Sequence, residues 1–253
     1  MVERTFVISE AACTWSFGLD PIGNAYRSIE AAKSCGADAW KTQFTSDATA
    51  MAKRRGLGAD AQAMYAKYLQ YPVEYLHKFK AKCDEVGVIF MCSVFLPKDC
   101  DAVSSLAHVG KISAFESDYD ELISVARARF SRLIISVNAG KRFPNLLEGA
   151  DFLYCVSEYP TPLEHLYLSC LRKREGPLQY SGISDHTTST LTGALAVAAG
   201  ARVIEKHVRL DDTPTDNPDH DHSLCCEWEW RDGHKRNQFA EYVENIRTAE
   251  VAL

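Results

Sequence analysis

Glu205 and His207 stand two residues apart in the apolar run Val203-Ile204-Glu205-Lys206-His207-Val208. Side-chain alternation along an extended strand puts both on one face, with Ile204, Lys206 and Val208 on the other. Ionisable groups on an apolar strand are costly to bury unless paired, hydrogen-bonded or bound to metal. The preceding run leads into Ser184-Asp185-His186-Thr187, which places His186 at the mouth of a neighbouring strand. Two imidazoles at adjacent strand ends can share a divalent ion and leave positions open for water and substrate, as a Lewis-acid site requires. A lone strand-end histidine is more often a hydrogen-bonded core residue; a second one, with carboxylates beside both, favours a ligand pair.

Other strand ends carry groups suited to an anion. Lys41 and Gln43 share a face of the second strand, and Lys111 opens a run that leads to Glu116. Two ammonium groups aimed into one opening suit a phosphate and a carboxylate. Either lysine alone reads equally well as a solvated or snorkelling side chain. Glu10 lies within the otherwise apolar first run and is a candidate general base. Ser93, Ser136 and Ser157 sit near three further strand ends, where small hydroxyl residues are common. The stretch Asp211–His222 is rich in Asp and His. It reads either as a second metal site or as a mobile substrate loop with Asp219 reaching inward, and its Pro and Asn punctuation favours the loop.

The elements that must position these groups alternate along the whole chain. Strands are predicted at Phe6–Ala11, Asp38–Gln43, Val88–Ser93, Lys111–Ala114, Leu133–Val137, Phe152–Ser157, Tyr180–Ser184 and Val203–Val208. Helical patterns fall at Asn24–Cys35, Val73–Glu85, Lys98–Ala107, Tyr119–Arg129, Leu163–Arg172, Thr190–Ala199 and Gln238–Val251. Eight strands with helices between them imply a parallel α/β sheet closed into a (β/α)8 TIM barrel, and 253 residues suit one such domain over 1–253. An open doubly wound sheet would want a Gly-rich phosphate turn after an early strand, which the sequence lacks. Thr45–Tyr71 is a connection of the length often used for a lid. The 139–150 connection between strands 5 and 6 is too short and too broken by Gly and Pro for a crossover helix. Trp228 and Trp230 are expected to dock the last helix.

Apolar residues make up 46% and charged residues 25% of the chain, the balance of a soluble globular protein with a sizeable core. A formal charge of −6 argues against nucleic acid as a partner. Nine cysteines without a CxxC pair read as reduced, packed thiols, the adjacent Cys225 and Cys226 included. With no leader-like or membrane-spanning run, a cytoplasmic location without membrane contact is expected.

Taken in order, several segments form a recognisable set. They are Val7-Ile8-Ser9-Glu10, Gly36-Ala37-Asp38-Ala39-Trp40-Lys41-Thr42-Gln43, Lys111-Ile112-Ser113-Ala114-Phe115-Glu116, Ser157-Glu158-Tyr159-Pro160-Thr161-Pro162, Ser184-Asp185-His186-Thr187 and Ile204-Glu205-Lys206-His207. The set resembles the catalytic barrel of the sialic acid synthase family, from about residue 6 to residue 223. The resemblance implies condensation of phosphoenolpyruvate with an aldehyde sugar to a 3-deoxy-2-keto sugar acid and phosphate. It implies that His186 and His207 bind manganese or magnesium, and that Lys41, Ser93, Lys111, Ser136, Ser157 and Ser184 hold phosphoenolpyruvate. It further assigns Glu10 to the water that attacks C2, and Gln43, Glu116, Tyr159 and Asp219 to the sugar.

The departures are specific. Cys13-Thr14-Trp15-Ser16-Phe17-Gly18 replaces the family's Asn-His-Asn-Gly-like turn, and Ala114 stands where a serine is usual, with Ser113 displaced by one position. The fifth-strand run reads Ser136-Val137-Asn138-Ala139. The family's C-terminal antifreeze-like domain, which reaches a partner subunit's sugar site, has no counterpart in the sequence. A homodimer is therefore compatible with the resemblance, not required by it. Two other functions compete: a metal-dependent sugar aldolase or isomerase using the same histidines, and a divergent barrel kept for binding or assembly. Retention of both lysines, both histidines and Glu10 favours the synthase, since a decayed site has nothing to offset the desolvation of buried charges.

Overall fold

The computed structural model describes residues 4–141, 149–172, 179–231 and 233–253. Eight parallel strands close on themselves: β1 (Phe6–Ala12), β2 (Ala39–Phe44), β3 (Ile89–Val94), β4 (Val109–Ile112), β5 (Arg132–Asn138), β6 (Asp151–Cys155), β7 (Tyr180–Asp185) and β8 (Val203–Arg209). Closure is explicit, because β1 pairs with both β2 and β8. The (β/α)8 barrel expected from the strand count is the observed fold. Most strand ends fall within one residue of the sequence reading, and β4 and β6 depart from it by two. β4 starts and stops two residues early because Ser113 opens a turn, with the Glu116 amide donating to Ser113 O at 3.1 Å. β6 stops at Cys155 because the Ser157 amide leaves the ladder for Asn138 Oδ1, 3.0 Å away.

The helices are α1 (Pro21–Ser34), α2 (Ala48–Arg54), α3 (Ala59–Tyr68), α4 (Val73–Val86), α5 (Asp99–Ser104), α6 (Asp120–Arg129), α7 (Thr192–Ala199) and α8 (Gln238–Ala252). Most match the predicted segments. The long Thr45–Tyr71 connection holds two ordered helices. Asp47 caps α2 by accepting the Ala50 amide at 2.8 Å. Met51, Ala52, Tyr65 and Tyr68 then form a small apolar cluster with Cys13 and Phe95. The expected helix at Leu163–Arg172 is absent in turn: two short 3-10 turns, Leu163–His165 and Leu168–Leu171, lie there. The Tyr167 amide donates to Tyr154 OH at 3.2 Å, which draws this segment flat against β6. Of the 139–150 connection, residues 142–148 lie outside the described residues.

Trp228 and Trp230 do not dock the last helix; they are 61% and 77% exposed. α8 is held by its own stripe of Phe239, Tyr242, Val243 and Ile246, all buried. None of the nine cysteines, all described, is in a disulfide, and eight are buried. No helix among the described residues is long and apolar enough to cross a membrane.

Two apolar layers position the site. Outside the barrel, Trp15 and Trp40 meet Phe79 edge-on, with ring centroids 4.9 and 5.5 Å apart. Inside, Ile8, Ala39, Met91, Ile134, Leu153 and Val203 fill one level of the barrel. Two residues further along each of these strands the inward side chain is Glu10, Lys41, Ser93, Ser136, Cys155 and Glu205. The site begins where the apolar plug ends.

Candidate active site

Lys41 and Lys111 stand in this polar layer with almost no exposure. Lys41 Nζ donates to Ser93 Oγ at 2.8 Å. Lys111 Nζ donates to Ser136 Oγ and to Ile112 O, each at 2.9 Å. Glu205 lies between them, 3.6 Å from either ammonium, and accepts the Ser184 hydroxyl at 2.9 Å. Burial alone would push its carboxyl up, but Lys111 and Lys41 outweigh burial and hold it below the usual range. Glu10 contacts Lys41 from the other side and accepts the Ala12 amide at 2.6 Å. Ala12 reaches that position at φ 43°, left-handed for a residue with a Cβ, where β1 slips register against β2.

These groups surround a cavity of about 50 Å³ lined by both lysines, Glu205, Ser93, Ser136 and Ser184, with His186 and His207 also on its wall. Two lysines and two carboxylates cancel in formal charge. Glu10 itself is not among the lining residues; it sits behind Lys41. Ser157, expected on the phosphate, is also not among them, since β6 has ended and its amide has turned to Asn138.

Gly182 allows β7, which leads into His186, to adjoin β8, which carries His207: a Cβ at Gly182 would lie 1.6 Å from Val203 O. Behind them Lys206, on the outer face as its alternation requires, approaches Asp185 to 3.3 Å and contacts Thr187 O. Tyr242 OH donates to Asp185 at 2.8 Å, so the turn carrying His186 is braced from outside the barrel. The His186 and His207 rings are 5.3 Å apart. His186 Nδ1 bonds to Val156 O at 2.8 Å, and because a carbonyl only accepts, Nδ1 carries the proton and Nε2 keeps its lone pair. His207 Nδ1 is buried without a partner. Burial pushes His186 down to about 4, and burial with His222 and His186 beside it pushes His207 well below its ordinary value. Both rings are therefore neutral at pH 7.

This has a consequence for the metal-free protein. A folded-state value below the unfolded one means that the unfolded chain takes up the proton first as pH falls. The stability His186 contributes is complete above pH 6.5 and lost by about pH 4, a decline of about 3 kcal/mol from this residue. Urea midpoints of the metal-free chain should fall between pH 7 and pH 4.5, and His186→Asn should flatten that fall. An unchanged pH profile in the variant would contradict the assignment.

Above the small cavity lies a larger one of about 300 Å³. Gln43, Ser113, Tyr159 and His207 line both. Its remaining wall is largely apolar, with Met64, Tyr65, Leu69, Phe95 and Phe115, and it also receives Arg55, Asp219 and His222. Asp219 reaches inward as expected, but its loop is tied down: Thr213 Oγ1 donates to Thr14 O and Asn217 Nδ2 to Cys13 O, each at 3.1 Å. Glu116 does not line this cavity. It is spent on Arg55, whose Nε and Nη2 donate to its two oxygens at 2.7 and 2.8 Å, and on Ser113. The sequence reading missed Arg55, which only the packing of α2 and α3 brings to the barrel mouth. It also missed His222, whose spacing from Asp219 gave a signal that was assigned to the loop as a whole.

The sequence model described as "NeuB family" matches residues 28–253. The chain belongs to the NeuB family. Among curated relatives, the pseudaminic acid synthase of Campylobacter jejuni is 27% identical, over 99% of this chain and 75% of that protein. The N-acetylneuraminate-9-phosphate synthase of Homo sapiens is 25% identical, over 98% and 71%. In fold, the chain is similar to the N-acetylneuraminic acid synthetase of Leptospira borgpetersenii solved with citrate. The TM-score is 0.82 at 20% identity, over 99% of this chain and 85% of that one. NeuB membership agrees with the resemblance carried by the strand-end segments.

Proposed function

We propose that this chain condenses phosphoenolpyruvate with an aldehyde sugar, releasing phosphate and a 3-deoxy-2-keto sugar acid. One observation carries the reading: a buried cavity lined by two lysines and four serines opens, past His207, into a larger and mostly apolar pocket. The inner cavity suits a small molecule bearing a phosphate and a carboxylate, and the outer one suits a partly apolar aldehyde.

The residues at the junction fit a divalent ion. His207 Nδ1 is an orphaned buried atom, His186 keeps Nε2 open, and both rings are neutral. His186 and His207 would hold it, and when bound it supplies Lewis-acid polarisation of the aldehyde oxygen. Lys41 and Lys111 donate hydrogen bonds to the phosphate and carboxylate and fix C3 toward the outer pocket. The C2=C3 electron pair then forms a C–C bond to the aldehyde carbon, whose oxygen takes up a proton; water adds at the electron-poor C2, and the C2–O bond breaks to leave a C2 ketone and release phosphate. Glu205 is the carboxylate that lines the cavity and is placed to take the proton from that water, while Glu10 holds Lys41 in position.

The test is phosphate release from phosphoenolpyruvate across a panel of aldoses and N-acylated amino aldoses with Mn2+ present. Release is expected to require phosphoenolpyruvate, one class of aldehyde and the ion together. A panel with no release, in which phosphoenolpyruvate also fails to raise the melting temperature, would sink the reading.

A further inference from the structure

We propose that Asp219 and His222, on the loop after β8, are ligands of the ion alongside His207, and that the resulting centre prefers a transition-metal ion to Mg2+. The inference rests on the metal-assisted reading above and adds to its ligand set. One ligand atom from each of His207, Asp219 and His222 lies within 4.8 Å of the other two. An ion with bonds of about 2.2 Å closes such a span with small side-chain shifts.

Two orphaned atoms point to that ion. His207 is 5% exposed and His222 only 2%. His207 Nδ1 and His222 Nε2 are both buried without a hydrogen-bond partner. Asp219 Oδ1 approaches His222 Nε2 to 3.4 Å but without hydrogen-bond geometry. A buried polar group left unsatisfied costs about 1–3 kcal/mol, and an ion bonded to both rings removes that cost. The rings converge at 4.7 Å between centroids, with His186 6.2 Å from His222.

The carboxylate is oriented like a supported ligand. Cys13 Sγ donates to Asp219 Oδ2 at 3.2 Å, which leaves Oδ1 turned to His222. The Asp219 amide donates to Asn217 Oδ1 at 3.1 Å, and Asn217 Nδ2 returns to Cys13 O. The end of β1 therefore fixes the loop ligand from behind, the role outer hydrogen bonds play at metal sites. Histidine nitrogens joined by one carboxylate suit Mn, Fe, Co or Zn, whereas Mg2+ is held by oxygens and water.

The experiment titrates the metal-free full chain with Mn2+ alone, following the free ion by electron paramagnetic resonance. His222→Ala and the isosteric Asp219→Asn are each expected to weaken Mn2+ binding at least about tenfold. A tenfold excess of Mg2+ should not displace Mn2+ from the unmodified chain. Circular dichroism of the metal-free variants checks folding; His222→Gln, which keeps volume, substitutes if His222→Ala unfolds. Unchanged Mn2+ affinity in the folded variants would overturn the ligand assignment and leave the ion on His186 and His207. Ready displacement by Mg2+ would overturn the preference. Phosphate release by the unmodified chain is scored separately, so a failed ligand assignment is not mistaken for a failed synthase reading.

Discussion

Lys41→Met is expected to lower stability by about 3–5 kcal/mol and to reduce phosphate release by about 10³-fold or more. Lys41→Met combined with Glu10→Gln should recover most of the stability and none of the activity. Lys41 is buried between Glu10 and Glu205, and Glu10 has no other cation beside it among the described ion pairs. Removing the ammonium leaves an uncompensated buried carboxylate, and neutralising Glu10 removes most of that penalty. The reactant anion, in contrast, loses one of its two positive charges in either variant. Urea unfolding and a phosphate-release assay on the two variants separate these effects. A double variant as unstable as the single one would show that Glu10 is not the partner that matters.

Chelating divalent ions is expected to slow aldehyde-dependent phosphate release by about 10³-fold or more, with recovery on adding Mn2+. Phosphoenolpyruvate binding, measured by equilibrium dialysis, should change only severalfold. The two halves of the site divide this way because the proposed reading gives the anion to Lys41, Lys111, Ser93, Ser136 and Ser184 of the inner cavity, none of which belongs to the group of His207, Asp219 and His222. Full activity in chelator would remove the metal from the proposed reaction. Loss of phosphoenolpyruvate binding on chelation would place the ion in the inner cavity instead.

The strands and the inner cavity were legible because they rest on one local rule. A period of two carries Ile8 to Glu10, Ala39 to Lys41 and Val203 to Glu205 and His207, and strand ends at one barrel face must converge. What was not legible depends on packing between segments distant in sequence. Arg55 enters the site only because α2 folds over Phe95 and Cys13. Glu116 read as a sugar contact until Arg55 stood beside it. Local pattern misled in two places: length alone marked Thr45–Tyr71 as a loop where two helices stand, and the pattern at Leu163–Arg172 suggested a helix where the chain makes only two turns.

The two cavities are built from different kinds of structure. Lys41, Ser93, Lys111, Ser136, Ser184 and Glu205 all stand on strands. The outer wall instead draws on Arg55, Met64 and Tyr65 from the α2–α3 segment and on the ends of β1, β4 and β8. Strand residues are locked by register, so a change at one disturbs its neighbours on both sides. Connecting segments tolerate substitution and insertion far better. Divergence is thereby channelled outward. Relatives matching this chain at 25% and 27% carry different acids in their names, and an architecture of this kind allows selection to recut the outer pocket one helix at a time while the charges beneath it stay in place.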